Sequence, residues 1–329
     1  MKKQILIYIF LFIFTGKTFA QTFIDERIKE AERLYCTNQF KEALYLLNDV
    51  ISQNPNDMYA LLDRSCLFDA LNEYEKALHD IEIVIKDNPS NIKARHFRGG
   101  IYENLGEHEK AIEDENFVLN LVPDFSSGLN VRGLAYGRLG LYEKSLNDFN
   151  NAINSAFVHN EYPEIYYLNR ANTYYFMKNY SESLNDLEWA LHFNNINPES
   201  MLLMSKILRA TGKYEESIKW VSDLISIKDD YYEAYYLRII DYLQLKKFDN
   251  AKRDLDIIKK SSSKFSAYHA LLSVYFYLTG DIDKSKSEYK LSKEIGRNEK
   301  NGFVIKLNMN DEIDDFMTSY KFEEIIFDK

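Results

Sequence analysis

The stretch RGGIYENLGEHEKAIEDENFVLNLVP, residues 98–123, decides the fold. It sets a small residue at Gly99, an aromatic at Tyr102, a turn glycine at Gly106, a small residue at Ala111 and a proline at Pro123. The stretch RGLAYGRLGLYEKSLNDFNNAI, residues 132–153, repeats this order through Gly133, Tyr136, Gly140 and Ser145. Working outward, the second small residue recurs as Ala43, Ala77, Ala111, Ser145, Ser183, Ser217, Ala251 and Ser285. The interval is 34 residues throughout, except for 38 between Ser145 and Ser183. A fixed period of this size predicts one supersecondary unit repeated, each copy burying its apolar face against its neighbours.

The register gives eight repeats: 24–57, 58–91, 92–125, 126–163, 164–197, 198–231, 232–265 and 266–297. Position 8 is small in all but the seventh copy, which has Ile239, and position 20 is the small residue above. Small residues on facing helices let two backbones approach, while bulky residues at positions 11 and 17 fill the space around them. Position 15 is Asn38, Asn72, Gly106, Gly140, Gly212 or Gly280, residues able to take the left-handed geometry that ends a helix; Lys178 and Lys246 depart from it. Pro55, Pro89 and Pro123 at position 32 close the second helix. Each unit reads as helix, short turn, helix, connector. The four extra residues of repeat four, around Phe157–Pro163, predict a longer helix or loop there.

These residues resemble the tetratricopeptide repeat over about residues 24–297. The resemblance implies an all-α, right-handed superhelical solenoid whose first helices line a concave groove. It further implies that ligand contacts come from positions 2, 5, 9, 12 and 13 of the first helix. Carried over, the early repeats present a mixed, mildly acidic lining of Asp25, Glu32, Tyr35, Tyr59, Asp69, Lys93, His96 and Glu103. From repeat five the lining turns apolar and aromatic, and the expected partner-binding residues are Tyr175, Phe176, Leu202, Tyr236, Ile240, Leu243, Val274 and Tyr277. The function this implies is non-enzymatic binding of a protein or peptide, its identity unknown. The alternative is an extracellular glycan or small amphipathic ligand on the same aromatic stripe.

One regularity is particular to this chain. Position 7 is arginine in five repeats, Arg64, Arg98, Arg132, Arg170 and Arg238. The same five carry aspartate at position 23, as Asp80, Asp114, Asp148, Asp186 and Asp254, and the other three copies lack both. Residues that come and go together predict an ion pair between first and second helices, within a repeat or across a boundary. A row of arginines for an anion is the weaker reading, since each arrives with its own carboxylate.

Chemistry-bearing motifs are absent from the sequence. The six histidines show no metal-ligand spacing, the two cysteines form no CxxC, and there is no HExxH or phosphate-loop pattern. No cofactor and no catalytic residue is expected. Cys36 and Cys66 fall at different heights on neighbouring first helices, which favours two free thiols over a disulfide.

The ends stand apart from the array. Lys2 and Lys3, the apolar run Ile5–Phe14, and Thr18 and Ala20 have the layout of a secretory signal peptide, 1–20, cut after Ala20. That predicts export to the periplasm or cell envelope, with no membrane span after cleavage, because ten apolar residues fall short of the roughly 20 a spanning helix needs. Losing Lys2, Lys3 and Lys17 moves the net charge from −10 to −13, a poor match for nucleic acid. The acidic tail, 298–329, is expected to carry a capping helix, with Asn310 as its N-cap and Ile313, Phe316, Met317 and Tyr320 at helical spacing. A tail that folds back into the groove is the second expectation, and self-association through end repeats stays open.

Overall fold

The structure, a computed structural model, describes residues 25–262 and 265–299. The signal peptide and the tail helix lie outside the described residues. Sixteen consecutive helices fill the described residues, with no strand among them. They are α1 (Glu26–Cys36), α2 (Phe40–Gln53), α3 (Met58–Ala70), α4 (Tyr74–Asp87), α5 (Ile92–Leu105), α6 (His108–Leu121), α7 (Ser126–Arg138) and α8 (Tyr142–His159). The array continues with α9 (Glu164–Phe176), α10 (Tyr180–Phe193), α11 (Pro198–Ala210), α12 (Tyr214–Ile227), α13 (Tyr232–Gln244), α14 (Phe248–Ser262), α15 (Ser266–Leu278) and α16 (Ile282–Glu299). The fold class is the expected one, an all-α array of helix-turn-helix repeats. The chain divides into two units at Thr173–Tyr174, inside α9.

Local chemistry sets where each helix starts and stops. Asp57, Asn91 and Asn197 cap α3, α5 and α11, accepting from the backbone N–H of Ala60, Ala94 and Ser200. At position 15 the backbone is left-handed in all eight copies, with φ 55° at Lys246 and 59° at Lys178 as well as at the six Gly and Asn positions. The position-16 N–H then reaches back to the position-11 carbonyl, from Gln39 to Leu34 (2.8 Å) through Asp281 to Phe276 (2.9 Å). This satisfies carbonyls that a helix end otherwise leaves bare and turns the chain into the second helix. The two lysines therefore obey the turn geometry that their residue type disfavours.

All eight small residues at position 20 are fully buried. Gly133 shows how close the helices come: a Cβ there would stand 2.9 Å from Cε1 of Phe149. Position 24 supplies the bulk beside them, as Leu47, Ile81, Phe149, Leu187, Val221 and Leu255, each 0% exposed. Burying one such side chain contributes about 1.5–3 kcal/mol to the repeat that carries it. The extra residues of repeat four lengthen the helix: α8 runs 18 residues where α6 and α10 run 14, and Asn160 ends it in a left-handed cap. Four residues make about one helical turn, so the face that α8 presents is preserved. No helix among the described residues is long and apolar enough to cross a membrane.

Candidate functional site: the first-helix walls

In unit 1, neighbouring first helices meet at positions 12 and 13. Asn104 on α5 donates to Asp69 on α3 (3.1 Å), and Arg138 on α7 lies 3.7 Å from Glu103 on α5. In unit 1 this makes a wall of partly exposed polar side chains, including Glu32, Tyr59, Asp63, Asp69, His96 and Glu103, with Lys93 exposed. A shallow cleft between α1 and α3 is lined by Glu32, Tyr35, Asp63 and Cys66, with Ala31, Leu47 and Leu67 at its base. Tyr35 is buried there. Burial pushes the carboxyl of Asp63 up to about 7, against the opposing charge of Lys93, and raises that of Asp69 as well. The Cys66 thiol is raised by the same desolvation, and both cysteines are free. The wall of unit 1 is thus open, acidic and only partly hydrated.

Behind it, Glu115 occupies position 24, which is apolar in the other seven copies. It is 0% exposed, accepts from or donates to His96 Nδ1 at 2.8 Å, and burial raises its pKa. Gly99 and Gly128 make room for it, since a Cβ on either would approach within 2.8 Å of a carboxylate oxygen. His96 also meets the Phe125 ring edge-on at 4.8 Å. An acid at a core position with two glycines in register was a legible signal of a buried polar pair.

In unit 2 most of the expected partner-binding residues are buried. Leu202, Tyr236, Ile240, Leu243 and Val274 are buried, at 6, 0, 1, 0 and 0% exposure. They join Met201, Leu224, Leu237, Leu255 and Leu271 in one apolar cluster. Side chains excluded from water are not available as contact points, so these five are core residues in this structure. Tyr175 and Tyr277 are partly exposed, and Phe176 is 59% exposed beside Tyr175, ring centroids 5.8 Å apart. The rim of this wall is charged: Lys206 on α11 pairs with Glu233 on α13 at 3.0 Å, and Arg209 lies 4.0 Å from Asp241. Asp241 is fully buried, accepts from the Ser217 hydroxyl, and has its carboxyl pushed up to about 7 by desolvation.

The position-7 arginines form clamps. Arg64, Arg98, Arg132 and Arg238 each grip the aspartate 16 residues on in two parallel bonds of 2.7–2.8 Å, within one repeat. Those aspartates, Asp80, Asp114, Asp148 and Asp254, are 1–4% exposed. Three of these arginines have a third partner. Arg64, Arg132 and Arg238 also donate to Asn48, Asn116 and Ser222, at position 25 of the preceding repeat. Arg170 does the same to Asn150 across the insertion, at a separation of 20 instead of 16. Asp186 is buried. The polar residue at position 25 before each arginine repeat was the available sequence signal. Arg95 adds a second cation to Asp114 (3.0 Å).

Among the described residues, no group of three His, Cys, Asp or Glu side chains is placed to hold a metal ion. Paired helices of this kind define an all-α scaffold of helix-turn-helix repeats. The family profile described as tetratricopeptide repeat matches residues 62–116. Among solved structures, the chain is similar to the APC/C hetero-tetramer Cut9-Hcn1, at 11% identity and a TM-score of 0.64, over 83% of this chain and 53% of that one. It therefore spans about half of that chain. It is also similar to PilW, a widely conserved type IV pilus biogenesis factor, at 18% identity and a TM-score of 0.60, over 65% of this chain and 98% of that one. The Pseudomonas aeruginosa pilF protein matches at 13% identity and 0.53, over 68% and 96%. No curated protein matches. At these identities the likeness is one of fold.

Proposed function

We propose that this protein is an exported, non-enzymatic scaffold of the cell envelope that holds a protein or peptide segment on the first-helix wall of unit 1. The observation that carries this reading is the pair Asp63 and Asp69, carboxylates half-withdrawn from water on an otherwise open wall. Desolvating a carboxylate is costly, and a lysine or arginine from a docked segment offsets it. The partner is therefore a basic segment, extended or helical, laid across α1, α3 and α5. The layout of the first 20 residues supports export. Against the glycan reading, Tyr236 is buried and presents no open ring face for sugar stacking.

The test is retention of native envelope proteins by the wild type and by an Asp63→Asn/Asp69→Asn variant of unchanged thermal stability. Loss of one partner from the variant, by about tenfold or more in affinity, is expected for two charge-assisted contacts. Identical recovery by both proteins removes the proposal. Export is checked separately: the mature protein begins at Gln21, and a full-length chain in the cytoplasmic fraction refutes that part.

A further inference from the structure

Two exceptions to the repeat fall in one copy and touch. Position 5 is buried in seven of the eight copies, from Tyr236 at 0% to Asn130 at 7%, and only His96 keeps partial exposure there. Position 24 is apolar in the same seven, and only repeat three has an acid, Glu115. His96 Nδ1 and Glu115 Oε1 stand 2.8 Å apart. The ring is held edge-on to Phe125, centroids 4.8 Å apart, with the Phe97 ring at 6.2 Å. Its other nitrogen, Nε2, has no hydrogen bond among the described residues and is not sealed from solvent. Nε2 is thus the polar atom that the pair offers to the unit-1 wall.

The buried acid decides whether that nitrogen carries a hydrogen. Glu115 is 0% exposed, and its Oε2 has no hydrogen-bond partner. A carboxylate ion with one oxygen bare in the core is costly, so the pair keeps its bridging proton. Burial raises the Glu115 pKa against the opposing pull of His96; Asp114 on α6 adds to the rise and Arg132 on α7 reduces it. Both of those charges are already matched, Asp114 by Arg98 and Arg132 by Asp148. A proton on Oε2 would leave a buried hydroxyl without an acceptor, a rarer state than a carbonyl oxygen short of donors. The proton therefore lies between Oε1 and Nδ1. Whether it rests on the oxygen or on the nitrogen, the other imidazole hydrogen is on Nε2. Position 5 of repeat three thus presents an N–H donor.

We propose that Glu115 fixes His96 as a hydrogen-bond donor, and that the Nε2–H of His96 binds a backbone carbonyl of the basic segment held on the unit-1 wall. This rests on the function proposed above and adds a main-chain contact to its charge contacts. A carboxylate is the wrong acceptor here, since Asp69 and Glu103 line the same wall. Glu115 is a positioning residue, acting through the ring of His96.

Nitrogen NMR of the isotope-labelled full-length protein at pH 7, titrated with an octalysine peptide, tests it. Nε2 of His96 is expected to be protonated in the free protein, and its signal moves on saturation with the peptide. A His96→Phe/Glu115→Leu variant, in which both polar partners become apolar, is expected to bind octalysine about fivefold more weakly, the loss of one hydrogen bond. Glu115→Gln, whose amide still donates to Nδ1, binds within about twofold of the wild type. A bare Nε2 at pH 7, or a signal unmoved at saturation, overturns the proposal whether or not the variants fold. Binding weakened by Asp63→Asn/Asp69→Asn but unchanged in the His96→Phe/Glu115→Leu variant overturns it while the unit-1 reading stands. Octalysine binding that is absent, or indifferent to Asp63 and Asp69, overturns both.

Discussion

Arg132 ties three helices with one guanidinium: its own α7, α8 through Asp148, and α6 through Asn116. The pair is neither an exposed surface bridge nor a sealed one, with the arginine side chain 20% and the aspartate 2% exposed. Removing Asp148 alone strands a largely buried cation, so Asp148→Leu is expected to cost about 3 kcal/mol, whereas adding Arg132→Met recovers part of that loss. Denaturant titration of the four proteins of the cycle should give a coupling of about 1–3 kcal/mol; strictly additive losses contradict the clamp. Asp241 makes a second residue-scale prediction. Its folded carboxyl, at about 7 against an ordinary 3.8, holds its proton more tightly than the unfolded chain does. The associated stability is complete below about pH 4 and is lost as pH rises through about 7. Asp241→Asn keeps an acceptor for Ser217 and removes the titration. The wild type should lose on the order of 2–4 kcal/mol more than the variant between pH 4 and pH 8, read from urea midpoints; parallel profiles sink the assignment.

For the helices, the deciding quantity is the turn between the two members of a pair. Lys246 holds φ 55° to let Lys247 N–H reach the Tyr242 carbonyl at 2.8 Å. A side chain in that region costs about 1 kcal/mol or more, which glycine avoids. Lys246→Gly should therefore raise stability by about 1 kcal/mol, seen as a higher melting temperature. A lower one means that the lysine side chain contributes packing that outweighs the strain. The turn itself was legible from six copies, and geometry required the other two to comply. Helix α8 is the complementary case. Its four extra residues left helix and loop equally possible in sequence, and one whole turn added to the helix keeps the Arg170–Asn150 contact in register.

At the scale of the whole molecule, net charge and the placement of acids govern association. A chain of net charge −10 with an acidic unit-1 wall attracts basic segments at long range, and salt screens that attraction. Retention of the unit-1 partner should fall as sodium chloride is raised from about 50 mM to 500 mM, with most of the loss in association rate. Binding indifferent to salt contradicts a charge-led contact. Leu202, Tyr236, Ile240 and Leu243 stand at repeat positions that the resemblance assigns to ligand contact, yet they are buried, because position in the repeat says nothing about cover.

Sequence alone determined the repeat length, the helix pairing, the turn positions and the arginine–aspartate pairs. Each of these depends on contacts within one repeat or the next, at a spacing the chain states directly. Tertiary structure decided which wall is open, which carboxyls burial pushes up, and where most of the arginines find a further bond. Those properties depend on solvent exclusion by several helices at once, and exclusion from water belongs to the assembled stack and not to any one segment.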